Sequence, residues 1–450
     1  MFLIAQAPAP PAEIVRLQEV RPLPGALDTI PVFNSNSPEL VLQEGILLST
    51  FPGSEKQHPA AHLNYSFQGR FDLFAHHIAR ADQGRSLRTL HLGLLVGNPS
   101  DQAVTLRILD GASYVSQPDA PFKPLPSRSD NNDGTVFAGP GDRVMLDLIQ
   151  DRRSINLPTR ITIPPRSTRL LADWPIPVAS LTPPLNGRSA YLRLESTGPV
   201  YVASLAQYAK LDANNQERSP SLSEWQRLLQ TSPVAGPRDR TPSAPDAPGP
   251  VIYSRVAGVA MGSRWQATLT DPNWRTLQIP QPGQAFSYGI STLQGGRQGT
   301  DQIQTAPLVV RYPDTAYSAH GNYGLEYDLT LPLVNLDRQP RTIDLLLETP
   351  IKEDRLSKGG LRFFQALPNA TFFRGSVRLR YSDDQGQITV RDVHLVQRRG
   401  QQGDSLLSLT LQPGEHRTVR VQLRYPPDAT PPQVLTVKTQ AQDTAGVSQP

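Results

Sequence analysis

One strand–loop–strand phrase occurs twice in the 450-residue chain, at 90–109 and again at 328–347. Each copy is a hydrophobic run that ends in Val, a polar turn that carries Asn and Asp, and a second hydrophobic run. Alternation with period two places Val104, Leu106 and Ile108 on one face, as a half-buried antiparallel strand requires. Because such a face needs a second sheet to cover it, the repeat predicts an all-β chain of two related antiparallel β-sandwich domains of the Ig-like kind.

The length and the proline content agree with this fold class. A single core rarely grows beyond about 250 to 300 residues, so a chain of this length is expected to form roughly two to four domains. Proline and glycine together supply 17% of the residues, which is below the roughly 25 to 30% that indicates disorder. Since proline cannot donate to a strand ladder, it belongs at strand ends, edges and turns, as in an all-β protein with many loops.

Charge and cysteine content exclude several classes of function. The chain carries 44 basic and 40 acidic residues without a block of like charge, which disfavours nucleic-acid binding. It has no cysteine, so disulfides, thiolate metal sites and cysteine nucleophiles are excluded. No apolar run approaches 18 residues, so no transmembrane segment is predicted.

Composition along the chain sets the expected boundaries. Residues 1–24 are read as a signal remnant and a Pro-rich tail, because a short apolar stretch precedes Ala-Gln-Ala, with small residues at both positions that signal peptidase reads. The basic region of a complete signal is missing, so either the true start lies upstream or the resemblance to a signal is chance. The first β-sandwich is expected at 25–212, a short helix and a Pro-rich linker at 213–250, the second β-sandwich at 251–440, and a tail at 441–450.

A helix is predicted over residues 219–230. Ser221 and Glu224 have the spacing of a capping box, and Trp225 and Leu229 fall on one helical face. A short amphipathic helix needs a surface to cover, which would be the first sandwich or the seam between the two.

Two other local patterns predict β-structure. The apolar run at 143–149 is read as a strand, and the polar segment at 382–387 as a hairpin turn. The segment at 409–428 corresponds to the segment at 161–171, since in both a strand is followed by a Pro-containing turn and then by a second strand. The repeated order of two separate phrases supports duplication.

Several long phrases resemble a known family. They resemble a family of secreted cyanobacterial proteins that is known only as a domain of unknown function, and the resemblance covers roughly residues 40 to 437. It implies a cell-envelope location and supplies no catalytic residues. The phrases are 69–78, 136–145, 198–206, 311–324 and 425–437.

Histidines are concentrated in the first half of the chain, where five of the eight lie between His58 and His91. Neutral imidazole is a common metal ligand, so His76 and His77 with Asp72 are candidates for a metal or hydrolytic site. However, His76 has a possible counterpart in the second half, where His320 also follows Ala and precedes the repeated phrase. A histidine that recurs in two sandwiches is more easily a structural residue than a ligand, so no metal site is predicted.

Aromatic and hydrogen-bonding residues cluster just before the second copy of the phrase. Flat rings suit stacking on sugars, and the polar groups suit orienting them. The alternative is that alternate tyrosines are core or sheet-edge residues. The candidate ligand-binding residues are Tyr312, Asp314, Tyr317, His320, Asn322 and Tyr323.

These patterns favour binding over catalysis. The chain has no Gly-x-Ser-x-Gly, His-Glu-x-x-His or Ser-x-x-Lys motif, and no cofactor is predicted. We therefore expect a non-catalytic exported protein, a structural or interaction component of a cyanobacterial cell envelope, in the periplasm or outer envelope, with a protein or glycan partner. Two alternatives stay open: a carbohydrate- or peptidoglycan-binding module, and a metal- or carboxylate-dependent hydrolase. The sequence does not indicate an oligomeric state.

Overall fold

A computed structural model describes residues 11–81, 87–245 and 247–441. Of the predicted signal remnant and Pro-rich tail at 1–24, residues 1–10 lie outside the described residues, whereas residues 11–24 are described and contain two strands. The predicted C-terminal tail lies outside the described residues apart from residue 441. Strands account for 46% of the chain and helices for 5%, so the all-β prediction is confirmed. In the described part of the chain, no helix is long and apolar enough to cross a membrane.

Strands make up most of the regular structure, and two α-helices and one 3-10 turn lie between them. The strands of the first half are β1 (Glu13–Arg16), β2 (Glu19–Arg21), β3 (Pro31–Ser35), β4 (Leu40–Val41), β5 (Gly45–Ser49), β6 (Phe67–Arg80), β7 (Leu90–Gly97), β8 (Val104–Val115), β9 (Arg128–Asp130), β10 (Arg160–Ile163), β11 (Thr168–Ile176), β12 (Leu185–Tyr208), β13 (Lys210–Leu211) and β14 (Glu217–Arg218). The helices are a 3-10 turn (Pro59–Ala61), α1 (Pro140–Ile149) and α2 (Leu222–Thr231).

Between residues 247 and 441, the regular elements that the structure describes are strands. They are β15 (Ala257–Met261), β16 (Arg264–Thr268), β17 (Leu277–Gln278), β18 (Ala285–Ile290), β19 (Ala306–Arg311), β20 (Ser318–Ala319), β21 (Glu326–Val334), β22 (Arg341–Glu348), β23 (Leu361–Phe364), β24 (Thr371–Ser382), β25 (Ile388–Arg398), β26 (Ser405–Leu411), β27 (His416–Arg424) and β28 (Gln433–Thr439).

Each half contains two layers of mostly antiparallel strands. In the first half, the long strand β12 belongs to both layers: its first part pairs with β6 and β8, and its last part pairs with β5 and β7. Leu106 and Leu192 from one layer and Leu94 and Val202 from the other share one core. In the second half, the layer that contains β21, β24, β25 and β27 faces the layer that contains β18, β22, β26 and β28.

The two strands of each repeated phrase lie in different layers. β7 pairs with β11, whereas β8 pairs with β10. In the same way β21 pairs with β27, whereas β22 pairs with β26. The phrase is therefore not a hairpin but a crossing between the layers of a sandwich, and both copies make it with corresponding partners.

The turn of each phrase is fixed by its asparagine. Asn98 Nδ2 donates to the carbonyl of the residue four positions on (2.7 Å) and to that of Ile163 (3.0 Å). Asn335 Nδ2 donates to the carbonyl four positions on and to that of Leu411, both at 2.9 Å. In both turns, the Asn Oδ1 accepts from the backbone N–H two residues further on at 2.9 Å, as in an Asx turn. This shared geometry supports the predicted duplication.

The predicted strand at 143–149 is wrong, because these residues form helix α1. The helix begins at Pro140 after Gly139, whose φ of 92° is accessible to glycine at little cost. Asp142 in its first turn accepts from the N–H of Ala138 at 2.9 Å. Nearly every residue of α1 is buried, since it contacts β8 and β12 of the first half and β24 and β27 of the second. A short apolar run that is buried almost throughout cannot be assigned to a helix or a strand by periodicity alone.

The predicted helix is confirmed as α2. The Ser221 hydroxyl accepts from the N–H of Glu224 (3.3 Å), and the Glu224 carboxylate accepts from the N–H of Ser221 (2.7 Å). Trp225 is fully buried against residues of the first half that include Ile46 and Leu205. The helix therefore covers the first sandwich. The predicted hairpin at 382–387 is also present, between β24 and β25.

Strand ladders cross the predicted domain boundary in several places. β3 of the first half pairs with β15 of the second, and β9 pairs with β25. The N-terminal strands β1 and β2 pair with β23 and β18. The division into a first sandwich at 25–212 and a second at 251–440 stays a prediction, and the sheets of the two halves are joined by hydrogen bonds.

Candidate functional site

A cavity of about 200 Å³, partly open to solvent, lies where the two halves meet. It exists because β3 places its end beside β15, and because the loop before β21 and the loop after β27 close around that pair. Four segments line most of it. They are 34–36, 253–256, 319–323 and 429–431, and Leu293 and Lys352 complete the lining.

Two asparagines from the first half form one wall. Asn34 near the end of β3 is 4% exposed, and Asn36 just after the strand is 2% exposed. The Oδ1 atom of each is buried and has no hydrogen-bond partner among the described residues. Buried polar atoms are usually paired, so these two amide oxygens lack the partner that is normal for buried groups.

Ser254 and Asn322 add two more unpaired atoms and an unusual backbone. Ser254 has φ of 64° and Asn322 has φ of 49°, and for serine this left-handed conformation is strained. In the described structure, Ser254 Oγ and Asn322 Oδ1 are buried without a partner. The Asn322 amide is fixed from behind, because its Nδ2 donates to Ser291 Oγ at 3.0 Å. The strain and the missing partners occur at the same wall of the cavity.

Three rings complete the lining. The His320 ring lies 4.7 Å from that of Tyr253 between centroids, and Tyr323 packs edge-on against Phe74. His320 Nδ1 is buried and unpaired in the described part of the chain. Burial, and secondarily the charge of Lys352, lower the pKa of His320 to about 4, so its ring is neutral at pH 7 and offers one donor and one acceptor.

Two cationic side chains reach the cavity, and they differ in their partners. Lys352 Nζ donates to the Tyr253 hydroxyl at 2.7 Å and lies 4.4 Å from the centre of that ring. Burial lowers the pKa of Lys352 to about 8, an effect that Asp354 partly offsets. Arg255, by contrast, forms an ion pair with Glu39.

The predicted aromatic cluster divides between this cavity and other places. His320, Asn322 and Tyr323 line it. Tyr312 is buried in the first-half core, where its hydroxyl donates to a backbone carbonyl at 2.8 Å.

The other two predicted members lie near the surface. The Asp314 carboxylate is held by Arg238 at 2.7 and 3.1 Å. Tyr317 is 36% exposed and lies under the Arg311 guanidinium, 3.7 Å from the ring centre. The structure therefore brings three of the six candidates together, and the other three serve packing or ion pairing.

The candidate metal and hydrolytic residues are engaged within the protein. His76 Nδ1 lies 2.8 Å from Ser189 Oγ, and both ring nitrogens of His77 are within hydrogen-bonding distance of protein oxygens. Asp72 accepts from the Tyr191 hydroxyl at 2.6 Å and pairs with an arginine. Across the described ranges, no group of three or more His, Cys, Asp or Glu side chains is arranged to hold a metal ion.

Sequence reasoning missed Asn34, Asn36, Ser254 and Lys352. Two asparagines with one residue between them at the end of an apolar strand were a usable signal, because they place two amides on one face. Ser254 and Lys352 carried no comparable signal, since each is placed by a contact with a distant part of the chain. For Ser254 this is the pairing of β3 with β15, and for Lys352 it is the bond to Tyr253, 99 residues away.

Comparisons with known proteins add a family and little else. No curated protein matches the chain. One solved structure to which it is similar is the crystal structure of Lac15 from a marine microbial metagenome, at 12% identity and a TM-score of 0.12. That match covers 84% of this chain and 54% of the other, so this chain spans about half the length of that protein. A TM-score of 0.12 supports no argument about fold or activity.

The family assignment is more informative about membership than about function. A family model described as "Protein of unknown function (DUF3370)" matches residues 18–439, which is most of the chain. The match includes both halves and every segment that lines the cavity, and it agrees with the resemblance seen in the sequence. The chain therefore belongs to the DUF3370 family.

Proposed function

We propose that the protein is a non-catalytic binding protein that holds one sugar unit in the cavity between its two halves. One observation carries the proposal: five residues that line a single cavity each contain a buried polar atom without a partner in the described structure. Leaving such an atom unpaired costs on the order of 1–3 kcal/mol, so an external partner would be favoured. The five residues are Asn34, Asn36, Ser254, His320 and Asn322.

Hydroxyl groups suit these partners. Water would satisfy the same atoms in the free protein, and a ligand that displaces water gains affinity only when it reproduces its hydrogen bonds. A sugar hydroxyl both donates and accepts, so it can replace water beside an amide oxygen, a hydroxyl or a neutral imidazole. Tyr253 and Tyr323 provide apolar ring surface for the C–H face of the sugar.

The size of the cavity limits the ligand to one ring. A cavity of about 150 Å³ accommodates benzene, so 200 Å³ with an opening to solvent suits a monosaccharide whose edge projects outward. A terminal or side-chain residue of a glycan fits this description better than the middle of a polysaccharide.

The proposed setting is the periplasm or outer envelope of a cyanobacterial cell, where the protein would act as a structural or interaction component. This location is supported by the resemblance to secreted proteins and by the signal-like N-terminus. Binding to an envelope glycan, including peptidoglycan, would serve such a role. The hydrolase alternative is not proposed, because His76, His77 and Asp72 are engaged with protein partners.

The test compares the intact protein with two variants, Asn36→Ala and Tyr317→Ala, by calorimetry against a panel of monosaccharides and by co-sedimentation with peptidoglycan sacculi. Asn36 Oδ1 forms no hydrogen bond with the described residues, so Asn36→Ala should leave folding intact while it lowers sugar affinity about tenfold. Tyr317 lies outside the cavity, so its variant should bind within about twofold of the parent. An absence of binding to every sugar, or equal binding by parent and Asn36→Ala, would overturn the proposal.

A further inference from the structure

We propose that the sugar bound in this cavity carries a carboxylate, and that Lys352 determines this specificity by pairing with it. The inference rests on the proposed function and narrows it to one ligand class, the sugar acids of hexuronate size. The hydroxyl-binding wall described above would hold the ring, and Lys352 would hold the acid group.

The charges of the residues that line the cavity indicate an anionic ligand. The cavity is lined by two cationic residues, Lys352 and Arg255, and by no aspartate or glutamate. Arg255 already has a carboxylate partner in Glu39. Lys352 has none within ion-pair distance in the described part of the chain, so the positive charge that is left for a ligand belongs to Lys352.

The hydrogen bonds of Lys352 carry the second step. An ammonium group has three N–H donors, and the described structure uses one, toward the Tyr253 hydroxyl at 2.7 Å. The amine is held at the cavity wall by this bond and by the tyrosine ring beneath it. Two donors remain, and a partly buried ammonium that has no carboxylate within ion-pair distance is costly. A carboxylate would supply both the charge and the acceptors.

The position of Lys352 among neutral polar groups carries the third step. His320 is neutral at pH 7 and lies beside the same tyrosine, and the asparagines carry no charge. A ligand with one negative charge is therefore matched by one unpaired cation, whereas a phosphate monoester brings about two charges. We accordingly favour a carboxylate over a phosphate.

The experiment measures the affinity of the intact protein for matched sugars by calorimetry at pH 7 and low salt. D-glucuronate and D-glucose differ only in a carboxylate at C6, and D-galacturonate and D-galactose form a second such pair. We expect one acid to bind about tenfold more tightly than its neutral partner. In Lys352→Met, which keeps the unbranched stem and removes the charge, the acid should lose about tenfold while the neutral sugar stays within about twofold.

Controls separate the possible failures. Lys358→Met alters an exposed lysine that pairs with Glu13, and it should leave both affinities unchanged. Lys352→Gln provides a second variant if Lys352→Met does not fold. Equal affinities for acid and neutral sugar would overturn this inference and leave the proposed function standing, whereas no binding of any sugar would overturn both. Tighter binding of glucose 6-phosphate than of glucuronate would replace carboxylate by phosphate as the recognised group and so also contradict the inference.

Discussion

Asp428 lies in the loop between β27 and β28, next to the segment that lines the cavity, and its Oδ2 atom is buried without a partner among the described residues. Burial raises the pKa of Asp428 to about 6, although Arg374 and His76 act in the opposite direction. An unfolded aspartate titrates near about 3.9. The folded protein therefore binds more protons than the unfolded chain between about pH 4 and 6, so this residue lowers stability as the pH rises through that window.

We expect Asp428→Asn to raise the free energy of unfolding by about 2 kcal/mol at pH 8 and to have almost no effect at pH 4. This gain in free energy is smaller than the value that corresponds to the full pKa shift, because the side chain of Asp428 is only partly buried by area. Urea unfolding at the two pH values measures it. Asp101→Asn, which removes an exposed carboxylate that pairs with Arg166 on the surface, serves as the control and should have only a small effect on stability at either pH. A gain of equal size at both pH values would show that the burial of the charge is not the cause.

At the scale of single elements, the contact between Gly93 in β7 and Trp225 in α2 shows how the helix packs on the first sandwich. A Cβ atom added at Gly93 would lie 2.8 Å from atoms of the Trp225 ring, which is far inside van der Waals contact. We expect Gly93→Ala to lower the free energy of unfolding by about 1–3 kcal/mol through overpacking. In a Trp225→Leu background the smaller side chain leaves room, so the same substitution should cost clearly less. A double-mutant cycle in urea measures this coupling, and additive costs would contradict the contact.

The two helices explain which elements could be predicted from the sequence. The start of α2 can be predicted locally, because the Ser221 and Glu224 side chains, three residues apart, each accept a hydrogen bond from the other's backbone N–H. α1 lacks such a box, and its apolar residues face both halves of the protein at once. The clue that remained was the Gly-Pro-Gly-Asp start at residues 139–142, which is typical of a helix N-terminus. The sequence therefore predicted the helix whose capping residues are local, and it did not predict the helix whose burial depends on distant strands.

At the scale of the whole molecule, the candidate site depends on contacts that no local pattern contains. His320, Asn322 and Tyr323 were found because they lie in one stretch of sequence. Asn34 joins them only because β3 pairs with β15 across the predicted boundary. Lys352 joins them because its amine donates a hydrogen bond to the Tyr253 hydroxyl. The sandwich architecture can be predicted from the periodicity of each strand. Which distant strands pair at their edges depends on the complete tertiary structure, so it cannot be read from any single strand.

The same pairing leads to a prediction for the whole molecule. Besides β3 with β15, the strands β1 and β2 at the N-terminus belong to sheets of the second half, and β9 adds a strand to another of its sheets. The buried Asp142–His394 hydrogen bond, 2.7 Å long, connects α1 to β25. Cutting the chain in the exposed segment 248–250 removes none of these contacts. We therefore expect a protein with a protease site inserted between Pro248 and Gly249 to stay one particle after cleavage.

Size-exclusion chromatography under native conditions checks this expectation, with denaturing electrophoresis to confirm that cleavage is complete. The cleaved protein should elute with the uncut protein, because separating the halves would expose strand edges and the buried faces of α1, whose backbone and apolar groups would lose their partners. Cleaved protein should also retain the sugar affinity of the intact chain, since Asn34 and Asn36 would still face Tyr253 and Lys352 from the other fragment. Two separate peaks would show instead that each half is a self-sufficient domain and that the cavity is a secondary contact between them.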